Sequence, residues 1–171
     1  LARREGIFNV LVTNGYISPE ALEELGPYID AANVDIKGFN KQFYYKYCKA
    51  DLDDVLKATE LMVKKGIHVE VTNLIVPGFN DSKEHLRKIV EFIASIDKSI
   101  SLHFSRFFPH YKMLDTPITP AETLREALKI AREKGLFYVY LGNFEEAQDT
   151  FCPKCGEKLI ERQGYNTLIL G

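Results

Sequence analysis

The sequence predicts an α/β protein: a partial (β/α) barrel of about five parallel strand–helix units, closed by a C-terminal C-x-x-C knuckle. Three observations predict it. An apolar, β-branched run, a Gly/Pro/Asn/Asp junction and a helix with one charged face follow one another repeatedly along the chain. The junctions are short, and short connections between parallel strands imply right-handed crossovers through helices. The 171 residues are too few for a complete eight-unit barrel, which needs about 250, and the rhythm stops after Asn143. Residues 1–143 are therefore assigned to the barrel part and residues 144–171 to a tail carrying the C-x-x-C.

Taken in order, Leu1–Gly6 reads as the last turn of a helix closed by a glycine with no capping residue ahead of it, which predicts that the chain is the C-terminal portion of a longer protein. Strands are expected at Phe8–Thr13, Ala32–Lys37, Ile67–Val76, Ile100–Phe107 and Phe137–Leu141. Ser18-Pro19 supplies an N-cap and a first-turn proline for the first helix, and Asp81-Ser82 and Thr119-Pro120 open later ones in the same way. Leu52–Lys65 stops at Gly66 and Leu124–Lys134 at Gly135, each with lysine in its last turn. Phe39, Phe43, Tyr44, Tyr45 and Tyr47 fall on a short helix over the barrel mouth, where core packing is the plainer reading. In the tail, Phe151–Ile160 reads as a knuckle and Asn166–Leu170 as a final strand.

Composition narrows the partners. The chain is 46% hydrophobic and 27% charged, with 22 Lys+Arg against 24 Asp+Glu scattered along it, so neither nucleic acid nor an anionic membrane is expected as a partner. No apolar run approaches the roughly 18 residues of a membrane span and no signal-peptide pattern opens the chain, which points to the cytoplasm. Three cysteines are too few for a disulfide scaffold, and Cys152 and Cys155 have the spacing to share one Zn²⁺ or iron. Asp51, Asp53 and Asp54 crowd a helix start, where their charge suits the helix dipole better than a calcium loop. No nucleotide-binding glycine fingerprint is present.

Chemistry in such folds gathers at the carboxyl ends of the strands. By period two, Asp35 and Lys37 share a face opposite Val34 and Ile36, and His68, Glu70 and Thr72 share a face opposite Val69, Val71 and Asn73. A buried parallel strand should be apolar on both sides. Two polar strand faces therefore suggest a lumen that holds a polar ligand, with a structural ion pair as the alternative for Asp35 and Lys37. The same alternation places Asn9, Thr13, Asp35, Lys37, Glu70, Thr72 and His103 together. Thr13-Asn14-Gly15 either binds a ligand or makes a plain turn. The fourth strand carries His103, Ser105 and Phe107 on one face and Arg106 on the other, with His110 just beyond.

Thr13-Asn14-Gly15, Asn33-Val-Asp-Ile-Lys-Gly38, Thr72-Asn-Leu-Ile-Val-Pro-Gly-Phe-Asn-Asp81 and Leu102-His-Phe-Ser-Arg-Phe-Phe-Pro-His-Tyr-Lys112, in this order, resemble the radical S-adenosylmethionine enzymes of the pyruvate formate-lyase activating enzyme type. Cys152-Pro-Lys-Cys-Gly156 and Arg162–Tyr165 are similar to the C-terminal end of the AmmeMemoRadiSam-system branch. The resemblance covers essentially the whole chain. It implies an enzyme in which S-adenosylmethionine on a 4Fe-4S cluster is cleaved reductively to a 5′-deoxyadenosyl radical that abstracts hydrogen from a substrate, a protein backbone glycine among the candidates, with an electron donor as a further partner. By motif match Asp35 and Lys37 would contact the methionine and ribose part, Thr13 and Asn14 the same lumen, Val76 and Pro77 the adenine, and His103, Arg106 and His110 the ribose or substrate.

The cluster-binding C-x-x-x-C-x-x-C loop of that family is absent: Cys48 stands alone and Cys152/Cys155 lie at the far end. The chain as it stands is accordingly expected to be inert. Its first strand, apolar along nearly its whole length, is expected to self-associate as an unprotected edge. Two other classes compete: a piece of a non-radical β/α-barrel lyase or isomerase using Lys37 as a Schiff-base amine, and a binding module built on the metal knuckle.

Overall fold

The computed structural model describes residues 2–146, 148–164 and 166–170. Five parallel strands form one sheet in chain order: β1 (Val10–Thr13), β2 (Ala31–Asp35), β3 (His68–Ile75), β4 (Ser101–Arg106) and β5 (Val139–Gly142). Each strand pairs with its predecessor, and right-handed crossovers between successive neighbours put every connecting helix on the same side. These helices are α1 (Pro19–Leu25), α2 (Lys41–Phe43) running into a π-helical turn at Tyr44–Cys48, α3 (Leu52–Lys64), α4 (Lys83–Ile96) and α5 (Ala121–Glu133).

The core lies between helices and sheet. Val34, Ile36, Val71, Ile75, Leu102 and Phe104 from the strands meet Leu22, Val55, Met62, Leu86, Ile93 and Leu124 from the helices, all buried. Only alternate strand residues are consumed this way. The burial of β3 alternates strictly along His68–Ile75, and the uncovered residues of β2, β3 and β4 are mostly polar, with Ala31 and Leu74 as exceptions and Asn73 as a polar residue on the covered side. The sheet is thus half of a two-sided arrangement, apolar where helices cover it and, across β2 to β4, mainly polar where they do not. Among the described residues no helix is long and apolar enough to cross a membrane.

Sequence cues account for most helix ends. Ser18 accepts from Ala21 N, Ser82 from His85 N and Asp51 from Asp53 N, so the acidic run at 51–54 is a helix start, as its charge suits. Thr119 does not cap α5. Its hydroxyl is buried, accepting from Phe107 N at 2.9 Å and donating to Ile75 O at 2.6 Å, and it ties the loop after β4 to the end of β3. At the N-terminus Ala2–Glu5 form a single 3₁₀ turn followed by Gly6 in a left-handed conformation (φ 70°), while Leu1 lies outside the described residues.

The tail differs from its expected form. It is a three-stranded antiparallel sheet of β6 (Thr150–Phe151), β7 (Lys158–Gln163) and β8 (Asn166–Ile169). The knuckle is confined to the turn between β6 and β7, where Cys152 N donates to Glu157 O at 2.8 Å and Gly156 N to Cys152 O at 2.9 Å. Lys158–Gln163 is not legible as a strand in the sequence because a short strand with so many polar residues carries little apolar alternation.

Candidate active site

Strand register decides which side chains share the uncovered face. Asp35 pairs with Thr72, Thr72 with His103 and His103 with Tyr140, giving one row across β2 to β5. Asn33, Glu70 and Ser101 form the row before it. Residues level with one another on neighbouring strands point to the same side, so Asp35, Glu70, Thr72 and His103 come together as alternation foretold. Lys37, two residues beyond Asp35 and past the end of β2, joins them through an ion pair of 2.8 Å.

The first strand corrects the expected set. Val12 is level with Asn33, and Thr13 with Val34. Val10 and Val12 therefore take the uncovered face, where Val12 is 78% exposed, while Leu11 and Thr13 turn to the helices. The nearly continuous apolar run in β1 offers no reliable phase, and what fixes it lies outside the strand. A Cβ on Gly15, which sits at φ 74°, would come within 2.9 Å of both Val34 and Val55 side chains, so the chain leaves β1 pressed against the helix-side core. Asn9 leaves the set too, its amide donating to Tyr28 O and its backbone N–H to Asp30. The Thr13 hydroxyl accepts from Gly15 N and the Asn14 side-chain Oδ1 from Tyr16 N, so both residues make the turn itself.

The carboxyl end of β2 is held by two residues that the sequence does not mark as site residues, Tyr44 and Asn80. Lys37 N–H donates to the Tyr44 hydroxyl at 2.9 Å, and Tyr44 is almost fully buried, which pushes its phenol well above its ordinary value. Lys37 O accepts from the Asn80 amide at 2.5 Å. The same amide donates to Leu74 O at 2.8 Å, and its oxygen accepts from Val76 N at 2.6 Å. One buried side chain thus fixes Lys37 to the Val76-Pro77 loop. In the sequence Asn80 stands inside the Thr72–Asp81 motif with nothing to mark it as a tie to Lys37.

Further along the row, His103 Nε2 lies 2.9 Å from Glu70 Oε2, and the His103 ring stacks on Tyr140 with centroids 5.3 Å apart. The hydrogen bond to His103, helped by the nearby His68, holds the Glu70 carboxyl below its usual range against the opposing effect of partial burial. Arg106 and His110 are not drawn into this row. Arg106 is level with Ile75, on the other phase, and donates through Nε to Thr119 O at 2.8 Å. His110 is exposed in the loop beyond β4, its carbonyl accepting from Met113 N.

Cys152 and Cys155 bracket their turn, and backbone N–H groups of Cys155 and Lys154 directed at the Cys152 sulfur lower its thiol from the ordinary range. Among the described residues no group of three or more His, Cys, Asp or Glu is placed to hold a metal ion. The pair therefore stands as two ligands only, and Cys48 is remote from it in sequence, in the π-helical turn, where burial raises its thiol.

Comparison with known proteins adds to this geometry. A family profile described as the Radical SAM superfamily matches residues 1–93. The uncharacterized protein MJ0808 of Methanocaldococcus jannaschii is 50% identical over 173 residues, which cover 99% of this chain and 51% of that protein. The pyruvate formate-lyase-activating enzyme of Clostridium pasteurianum is 33% identical over 99 residues, 56% of this chain and 40% of that one. The chain thus spans about half the length of these relatives or less. Among solved structures, a domain of pyruvate-formate lyase-activating enzyme from Bacteroides vulgatus superposes with a TM-score of 0.71 at 15% identity, over 82% of this chain and 84% of that chain. Streptococcus suis SuiB gives 0.63 at 11% identity, over 84% and 34%.

Proposed function

This chain belongs to the Radical SAM superfamily, and on that premise we propose that its uncovered sheet face binds S-adenosylmethionine in an enzyme of the activating type. The observation that carries the reading is the Asp35–Lys37 pair, 2.8 Å apart and about one-third exposed at both side chains, at the carboxyl end of β2. Two opposite charges so placed can exchange each other for the carboxylate and ammonium groups of a zwitterion. Partial exposure keeps the cost of parting them small. Tyr44 and Asn80 hold the lysine backbone from both sides, so the side chain works from a fixed base. When bound, S-adenosylmethionine would supply the hydrogen-abstracting 5′-deoxyadenosyl radical.

In this reading Asp35 and Lys37 hold the methionine and ribose part, Val76 and Pro77 the adenine, and His103 the ribose or substrate side. Thr13 and Asn14 border the site through backbone groups, Arg106 serves from the last position of β4 and His110 from the loop beyond it. The residues present do not fit a 4Fe-4S cluster: the chain has three cysteines, and the described residues bring no three ligands together. The cluster's thiolates must then come from outside these residues, and the chain by itself is inert toward the cofactor's cleavage. Two thiolates at Cys152 and Cys155 equally leave a tetrahedral Zn²⁺ or iron site half made. The family match takes precedence over the lyase or isomerase reading of Lys37. The activating-enzyme relatives favour a protein substrate, such as a glycyl-radical enzyme, and reductive cleavage of the cofactor would call for an electron donor as a further partner.

The test is equilibrium binding of labelled S-adenosylmethionine to the cluster-reconstituted full-length enzyme and to its Asp35→Asn and Lys37→Ala variants. Each variant should weaken binding about tenfold or more. Binding unchanged in both would overturn the assignment.

A further inference from the structure

Arg162, the first residue of the Arg162–Tyr165 motif in the tail, does not stay with the tail. From β7 its guanidinium reaches the five-stranded sheet and lies 5.2 Å from the centroid of the Tyr140 ring, the ring on which His103 stacks. Its Nη1 donates to Gln148 O at 3.0 Å and to Thr150 Oγ1 at 2.6 Å, and Thr150 is itself bonded to the Tyr140 hydroxyl at 2.8 Å. Both bonds use the same nitrogen. Among the described residues the edge formed by Nε and Nη2 meets no acceptor, and the acidic neighbour Asp149 is engaged with Lys158 at 2.8 Å and with the Arg162 backbone N–H.

That guanidinium borders a cavity of about 450 Å³ whose other polar walls include Glu70, His103, Glu145 and Gln148, a size that suits a small molecule. The Nε/Nη2 edge of an arginine matches the two oxygens of a carboxylate. A phosphate dianion fits poorly, because three carboxylates, Glu70, Glu145 and Glu146, line the same space; Glu146 pairs with Arg125 at 2.6 Å and Glu70 with His103 at 2.9 Å, while among the described residues Glu145 has no ion-pair partner. Glu70 gives one oxygen to His103 and keeps the other, 3.8 Å from His68, for a donor.

We propose that this cavity binds a small α-amino or α-hydroxy acid, its carboxylate on Arg162 and its amine or hydroxyl on the wall formed by Glu70 and Glu145. The tail then serves as a specificity element that brings one arginine over the sheet. This rests on reading the uncovered face as the reaction face, but binding needs neither reductant nor cluster, so it fails or holds separately from the radical chemistry.

The test uses the full chain with ¹⁵N-labelled arginine, titrated with the proteinogenic amino acids, lactate and malate, each beside its carboxamide. At least one acid should saturably shift the Arg162 Nε–H resonance while its carboxamide does not. Arg162→Lys, which keeps the charge and the stem over Tyr140, should weaken that binding about tenfold through loss of the fork. No response from any acid at millimolar concentration, equal binding of the carboxamide, unchanged binding in Arg162→Lys, equal binding of inorganic phosphate, or displacement of the acid by S-adenosylmethionine would each overturn the proposal.

Discussion

Replacing Asn80 by alanine removes three hydrogen bonds through one side chain and should be a costly single change at the site. The Asn80 side chain is 3% exposed and satisfies Val76 N–H, Lys37 O and Leu74 O. In Asn80→Ala the Val76 amide, itself buried, loses its acceptor, and an orphaned buried donor costs about 1–3 kcal/mol. Two carbonyls lose a donor as well, a smaller penalty because an under-satisfied carbonyl is better tolerated than an orphaned N–H, so the total is about 2–4 kcal/mol. For a chain of this length that corresponds to a fall in Tm of roughly 5–15 °C. Asn80→Asp separates the two halves of the role: it keeps the acceptor for Val76 N–H but sets a carboxylate against the Lys37 and Leu74 carbonyls, so it should be as damaging as alanine at neutral pH. Thermal unfolding by calorimetry and hydrogen exchange at the Val76 amide report both effects. A Tm unchanged in Asn80→Ala, or an Asn80→Asp protein as stable as the parent at pH 7, would refute the clamp.

Three further outcomes follow from the same geometry. The folded state depresses the Glu70 carboxyl through His103, so the stability it contributes is present above the ordinary carboxylate range and lost as pH falls through the lowered value; Glu70→Gln should be less stable than the parent near neutrality, with the gap closing in acid, and a pH-independent gap would contradict it. Iodoacetamide near pH 7.5 should alkylate Cys152 well before Cys48, because backbone N–H groups favour the Cys152 thiolate while burial disfavours that of Cys48; peptide mass spectrometry showing Cys48 modified first would reverse the assignment. The β1 edge exposes Phe8 at 80%, with Ile7, Val10 and Val12 also largely bare, and self-association through it should fall in Val12→Lys, as light scattering would show; identical scattering from parent and variant would move the contact elsewhere.

The order of elements was legible in the sequence because it depends on local chemistry. Apolar runs, the Ser18 and Ser82 caps and the glycines after α3 and α5 each act over a few residues, and the structure places the five strands of the main sheet within two residues of where those cues put them, whereas the strands of the tail before Asn166 gave no such cue. The polar face of β2 and β3 was legible for the same reason, since a strict period of two in Asp35-Ile-Lys37 and His68-Val-Glu-Val-Thr72 survives any tertiary arrangement. So was the family, carried by motifs whose order along the chain is a property of the sequence.

What the tertiary structure alone decided are relations between distant strands. The phase of β1 could not be read from a run apolar on both sides; pairing of Val12 with Asn33 set it and turned Thr13 away from Asp35. Thr119 looked like a cap and became a buried tie between β3 and the loop after β4, because its hydroxyl found Ile75 O, 44 residues earlier in the chain, before it found its own helix. Asn80 and Arg162 were ordinary turn and tail residues until folding brought Lys37 O to the one and Tyr140 to the other. Local free energies fix where elements start and stop, whereas a side chain's partners are set by which strands become neighbours, and that follows from packing the whole core at once.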